Sequence, residues 1–143
     1  MIRFAIPLCL SRRRLRVATE TIETIKIVGG VLTLTIGDDY SYLDRRALEV
    51  DLPGDHLPDL TGAAVALHLR SGDRQKCALV IPGTVVTPSG NTRTLRFEPT
   101  SAQTGLLKRT VEGQFAVVIT TSTRTITPTE SRGVLTVLNR LSF

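Results

Sequence analysis

The chain has 143 residues and a mass of 15.6 kDa, which suits one domain with its own core and excludes two comfortable domains. Its apolar residues are mostly aliphatic, with four Phe, two Tyr and no Trp, and this composition favours packed β-sheets. The formal charge of +5 is uneven, because five of the 18 basic residues precede the first acidic residue, Glu20. The remaining bases and acids balance, which argues against a basic track along the main domain.

Residues 1–18 form a predicted N-terminal arm. Three interpretations are open for it: a flexible tail, a contact with a neighbouring subunit, or phosphate binding by guanidinium groups. No aromatic residue lies between Arg12 and Arg16 to stack on bases, so we favour the neighbouring subunit over nucleic acid. The arm's arginines are therefore candidate assembly contacts: Arg3, Arg12, Arg13, Arg14 and Arg16.

The opening apolar run resembles neither a signal peptide nor a membrane span. Its basic cluster follows the apolar residues instead of preceding them, and the run falls well short of the roughly 20 residues that cross a bilayer. We expect a soluble protein without a membrane span.

Residues 19–138 are predicted to form the domain proper, beginning with short extended segments. Gly29-Gly30 separates an ambiguous apolar stretch from a clear strand at 31–36, which predicts a β-hairpin. Asp38-Asp39 predicts a solvated turn, since no Asp-x-Asp-x-Asp spacing indicates a calcium site. Residues 40–52 are predicted to be extended, with Leu43 and Leu48 among their apolar members.

The clearest strand follows a turn at residues 59–62. Apolar residues alternate from Val65 to Leu69 and are predicted to face the core. The side chains at the alternate positions, His68 and Arg70 among them, are then predicted to face outward. We interpret this segment as a central strand that is buried on one face.

The second half of the domain continues the pattern of short strands and turns. Its predicted strands are an apolar run at 77–81, a segment at 84–87 after Pro82-Gly83, and strands at 94–98, 114–119 and 132–138. One short helix is predicted at 102–107, with Thr100 or Ser101 as its cap. A threonine-rich hairpin spans 120–129, and residues 139–143 form a tail. About seven or eight short strands with one short helix predict an all-β sandwich.

No catalytic or metal-binding constellation is visible in the sequence. His56 and His68 are the only histidines, and together with Cys9 and Cys77 they have no zinc-binding spacing. The two cysteines also indicate no disulfide framework, so we predict a reducing compartment. Phosphate-binding loops, dinucleotide fingerprints and nucleophile elbows are absent from the sequence. We therefore predict a protein that is not an enzyme and that uses no cofactor or metal.

Three segments resemble a known family. Residues 59–70, DLTGAAVALHLR, are similar to a signature in the N-terminal immunoglobulin-like domain of phage upper baseplate proteins. Residues 94–97 (TLRF), 101–104 (SAQT) and 112–119 (EGQFAVVI) resemble that family's strand, short helix and strand. Residues 132–137, RGVLTV, resemble its terminal strand. The likeness covers about residues 31–138.

The resemblance implies an immunoglobulin-like β-sandwich in the virion of a bacteriophage, made in the host cytoplasm. Such a domain docks onto a tail or baseplate hub and supports host-recognition components. Family members usually continue into a stalk or fibre, whereas this chain stops at Phe143, so we expect an adaptor. The expected partners are other virion proteins and copies of itself, with His68 and Arg70 as further assembly contacts.

Other functions stay open at this stage. The chain could decorate a capsid or accompany a head-tail connector. It could also be a stand-alone module that binds carbohydrate or nucleic acid, although scarce aromatics and a neutral main domain disfavour both ligands.

Overall fold

The structure, a computed structural model, describes residues 22–28, 30–54, 57–71, 79–128 and 131–140. Within these ranges the chain forms nine strands and one four-residue helix, which confirms the predicted all-β class. The strands are Ile25–Lys26 (β1), Val31–Thr35 (β2), Leu48–Pro53 (β3), Ala64–Arg70 (β4), Leu79–Thr87 (β5), Thr92–Phe97 (β6), Thr110–Thr120 (β7), Thr125–Ile126 (β8) and Arg132–Leu138 (β9). The helix, Ser101–Thr104 (α1), lies between β6 and β7.

The strands form one curled sheet in the order β1-β3-β6-β5-β4-β7-β9-β2, with β8 paired to β7. Strand β5 belongs to both halves, because its first residues pair with β4 and those from Gly83 onward pair with β6. We call the half with β4, β7, β9, β2 and β8 the larger layer and the half with β1, β3 and β6 the smaller layer. The result is a β-sandwich-like fold.

Glycine is required where β5 passes between the layers. A Cβ atom on Gly83 would lie 2.3 Å from the Phe97 ring and 2.8 Å from the carbonyl oxygen of Arg96. The sequence pattern had separated the segments before and after Pro82-Gly83, but a single nine-residue strand runs through both. The missing side chain lets the strand bend against Phe97 instead of ending there.

The core is a single cluster of buried, mainly aliphatic side chains. In β4 the side chains of Val65, Leu67 and Leu69 are buried while those between them are not, which confirms the predicted alternation. Strand β7 contributes Phe115, Val117 and Ile119 in the same way. Each large aliphatic side chain removed from water contributes about 1.5–3 kcal/mol, so this face fixes the strand register.

The predicted hairpin at the double glycine is wrong. Val28 and Val31 form one antiparallel bridge, but β1 then pairs in parallel with β3 and β2 pairs in parallel with β9. The turn therefore carries the chain from the smaller layer to the larger one. Gly30 packs closely on Gly133, because a Cβ atom on Gly133 would lie 2.0 Å from the carbonyl oxygen of Gly30. Gly29 lies outside the described residues.

The predicted extended stretch at 40–52 is also only partly correct, since β3 begins at Leu48. Residues 42–45 form a turn, and Leu43 is 81% exposed instead of contributing to the core. Local hydrogen bonds hold this turn, including one from the Arg46 amide to the Ser41 carbonyl. The Tyr42 amide donates to the Glu98 side chain at 2.8 Å, so local and side-chain partners replace strand pairing in this loop.

The predicted helix is real but shorter than the sequence suggested. Thr100 is its N-cap, as predicted, and the Gln103 side chain completes a capping box by accepting from the Thr100 amide. The helix ends at Thr104, with Gly105 as its C-cap. In the threonine-rich region, β7 and β8 pair antiparallel as the predicted hairpin requires, although Thr129 lies outside the described residues.

Candidate interaction surface

The outer face of the larger layer brings two sequence-predicted residues together with others. Because side chains alternate along each strand, the register places His68 of β4 beside Ala116 of β7, which in turn lies beside Arg132 of β9. Arg70 lies beside Gln114, two residues further along the same face. His68 and Arg70 therefore point outward, as predicted.

These residues surround an open concavity of about 610 Å³, which we call the basic concavity. Its shape follows from side-chain size, because small Ala116 lies between the long side chains of His68 and Arg132. The concavity is lined by His68, Arg70, Gln114, Phe115, Ala116, Arg132 and Gly133.

The charge of the basic concavity is not neutralised by the described part of the chain. Arg70 and Arg132 are exposed, and neither forms an ion pair or side-chain hydrogen bond with another described residue. By contrast, Arg46, Arg96 and Arg140 each pair with a carboxylate. The basic concavity thus presents two guanidinium groups that can bind an external anion bidentately.

Exposed aliphatic side chains adjoin the basic concavity on the same outer face. Val80 of β5 lies beside His68 and is 46% exposed, while Val134 of β9 lies beside Gln114 and is 47% exposed. Val31 of β2 continues the apolar row next to Val134. A surface that combines apolar and cationic groups in this way is typical of a protein-binding site.

A second concavity, of about 490 Å³ and lined in part by Tyr42 and Val86, contains a fully paired charge cluster. Glu49 accepts hydrogen bonds from Lys26 Nζ at 2.9 Å, Arg96 Nε at 2.8 Å and Thr24 Oγ1 at 3.0 Å. The Arg96 guanidinium also lies 3.7 Å from the centre of the Tyr42 ring. This cluster joins β1, β3 and β6.

The pKa values of this cluster reflect the pairing. Burial alone would raise the pKa of Glu49, but the hydrogen bonds from Lys26, Arg96 and Thr24 outweigh it and hold the pKa below its ordinary value. Burial would likewise lower the pKa of Lys26, yet Glu49 and Asp51 hold it above its ordinary value. The cluster is therefore a structural ion-pair network, with its charges directed at one another.

The acidic pair Asp38-Asp39 is not simply solvated, in contrast to the prediction. Asp38 pairs with Arg46 and Arg140, each at 3.2 Å, and Asp39 accepts from the Ser101 amide at 2.6 Å. These contacts connect the loop to the helix and to the segment that follows β9. Among the residues that the structure describes, no group of three or more His, Cys, Asp or Glu side chains could hold a metal.

Sequence reasoning missed Arg132 and Val134. Their alternation within the closing strand was visible, and treating Arg132 as outward-facing would have added it to the candidates. The other candidates lie outside the described residues: Arg3, Arg12, Arg13, Arg14 and Arg16 of the arm, together with Cys9, His56 and Cys77.

Neither a protein-family model nor a curated protein sequence matches the chain. Within the described ranges, no helix is long and apolar enough to cross a membrane.

Proposed function

We propose that this protein is a non-catalytic structural component of a bacteriophage virion, an adaptor in the tail or baseplate that docks onto a hub. Its role would be to anchor or support host-recognition components. The observation that carries the proposal is the outer face of the larger layer, where guanidinium groups without an ion-pair partner in the described part of the chain adjoin exposed valines. Residues 59–70, which form the turn before β4 and β4 itself, resemble a baseplate signature. This resemblance supports the virion setting.

The sandwich supports docking because one face of its larger layer stabilises the fold and the other face is available to a partner. Inward side chains of β4, β7 and β9 build the core, and outward side chains on the same strands are free to contact a partner. A rigid sheet loses little conformational entropy on binding, which favours a stable assembly contact. Stable protein interfaces bury about 800 Å² on each partner, so the contact must extend beyond the basic concavity over the neighbouring valines.

The proposal is tested by following the chain into particles. A tagged copy would be expressed in bacteria infected with the phage whose genome encodes it, and particles would be purified on a density gradient. We expect a fixed number of copies per particle, retained in isolated tails. Recovery only as free protein would contradict the proposal, and recovery only in heads would indicate capsid decoration instead.

A variant links incorporation to the outer face. Val134→Asp places a charge among the exposed valines and should reduce incorporation strongly. Leu43→Asp is the matched control, since Leu43 is equally apolar and more exposed but belongs to a distant turn. Circular dichroism would confirm that both variants fold. Equal incorporation of the two variants would exclude the valine face as the contact.

A further inference from the structure

We propose that the basic concavity binds an acidic segment of a partner protein, with carboxylates on Arg70 and Arg132 and aliphatic side chains on Val80 and Val134. The identity of the partner protein rests on the assembly role proposed above. The chemistry of the segment follows from the surface itself.

The strand register sets the spacing of the carboxylates. Arg70 and Arg132 lie on β4 and β9, with β7 between them, and they are offset by two residues along the strands. Strand spacings of about 4.8 Å and a rise of about 3.4 Å per residue place their Cα atoms roughly 12 Å apart. An extended segment covers that distance in about three or four residues. Two acidic residues separated by three others lie on the same side of an extended segment and would therefore reach both guanidinium groups.

The neighbouring side chains favour a protein segment over nucleic acid. Val80 and Val134 offer apolar contacts on either side of the concavity, whereas its aromatic residue, Phe115, is only 3% exposed and cannot stack on a base. Guanidinium groups alone would accept carboxylate or phosphate, so the apolar flanks decide between the two. A partner segment in which acidic and aliphatic residues alternate along one side complements both features.

The chain's own N-terminal segment does not suit this site. It contains five arginines before the first acidic residue, Glu20, and would meet the guanidinium groups of Arg70 and Arg132 with like charge. Like charges brought together at an interface disfavour the contact. The expected occupant is therefore a segment of another protein.

The test uses the full chain, labelled with ¹⁵N, and two fluorescein-labelled octapeptides. One peptide repeats Glu-Ser-Leu-Ser, so that glutamate and leucine alternate along one side of the extended segment, and the other has glutamine in place of glutamate. We expect the acidic peptide to bind with an affinity that falls as salt rises, and to shift the amide signals of residues 68–70, 114–116 and 132–134. The glutamine peptide should bind at least about tenfold more weakly.

Paired variants separate a specific site from net charge. Arg70→Glu with Arg132→Glu should weaken binding of the acidic peptide by about tenfold or more. The matched control is Arg109→Glu with Arg124→Glu, which changes the net charge equally at two exposed arginines outside the concavity. The control should change the affinity by no more than about twofold.

Several results would overturn the inference. They are failure of the acidic peptide to bind, equal weakening by the control pair, tighter binding of an oligothymidylate to the same residues, or self-association of the chain through this face. Particle incorporation is measured separately. A chain that enters particles normally with both Arg70 and Arg132 replaced refutes the acidic-segment site and leaves the adaptor role intact. Conversely, acidic-peptide binding at this site by a chain that is absent from particles would support the acidic-segment site and contradict the adaptor role.

Discussion

Glu49 offers the sharpest test of what holds the smaller layer together. Its side chain is only 7% exposed and accepts hydrogen bonds from three residues on two segments: Thr24 and Lys26 at β1, and Arg96 on β6. Glu49→Gln preserves the shape of the side chain and removes the charge. Lys26 and Arg96 would then keep their positive charges near a neutral amide, and Arg96, at 21% exposed, would recover little hydration.

The expected loss is about 2 kcal/mol in the free energy of unfolding. Breaking a buried ion pair by removing one partner costs about 3–5 kcal/mol. Lys26 is 45% exposed, so water replaces much of its contact, and a surface pair of this kind contributes about 1 kcal/mol or less. Glutamine also retains one oxygen that can accept a hydrogen bond. These corrections bring the expected effect below that range, to about 2 kcal/mol.

The pH dependence provides a second signature of the same carboxylate. The pKa of Glu49 is held below its ordinary value of 4.5, so its contribution is complete above that pH and disappears as the pH falls through the folded-state pKa. The difference between the native chain and Glu49→Gln should therefore be full at pH 7 and shrink in strongly acidic buffer. The raised pKa of Lys26 acts oppositely, with its contribution lost only in strongly alkaline buffer.

Urea denaturation followed by circular dichroism measures both effects. With a urea dependence of about 2 kcal/mol per molar, the midpoint at pH 7 should fall by about 1 M. The matched control is Glu112→Gln, because Glu112 is exposed and its carboxylate forms no ion pair within the described residues. An unchanged midpoint for Glu49→Gln, or a difference that persists undiminished in acid, would refute the role assigned to this carboxylate.

Three further substitutions probe contacts that position the layers and loops. Gly83→Ala should destabilise the fold by about 1–3 kcal/mol in urea denaturation, because its methyl group would overlap the Phe97 ring, and adding Phe97→Leu should restore part of the loss. Arg93→Met should lower the free energy of unfolding by about 2 kcal/mol, measured by thermal denaturation, because this buried guanidinium donates to three backbone carbonyls. Thr104→Val removes a buried hydroxyl that accepts from the Gly37 amide at 3.0 Å, so hydrogen exchange at Gly37 should accelerate while global stability falls by about 1–2 kcal/mol.

The strands that sequence predicts well are those in which one face is buried. The alternation from Val65 to Leu69 identified a strand, its inward face and its outward residues, because burial of one face is the dominant energy in a half-buried strand. The cap at Thr100 was equally readable, since it depends on contacts within four residues. Local physics determined both features.

The features that sequence missed depend on distant contacts. Gly83 reads as a turn residue in the sequence, and only the position of Phe97 shows that close packing requires a glycine there. Gly133 is required in the same way, because the backbone of Gly30 lies against it. Which outward residues share a surface is set by strand order, in which β9 lies between β7 and β2. Arg132 is far from His68 and Arg70 in sequence, and no local pattern links them. Only the pairing of β9 with β7 shows that the three side chains share a surface.

A cryo-electron microscopy map of the intact particle would test the docking surface most directly. With the sandwich fitted into such a map, we predict a neighbouring protein in contact with the outer face of the larger layer, over Arg70, Arg132 and Val134. Its density should place acidic side chains at the two guanidinium groups. A sandwich whose larger layer faces open solvent, with its contacts made through the smaller layer, would contradict the proposed assembly surface.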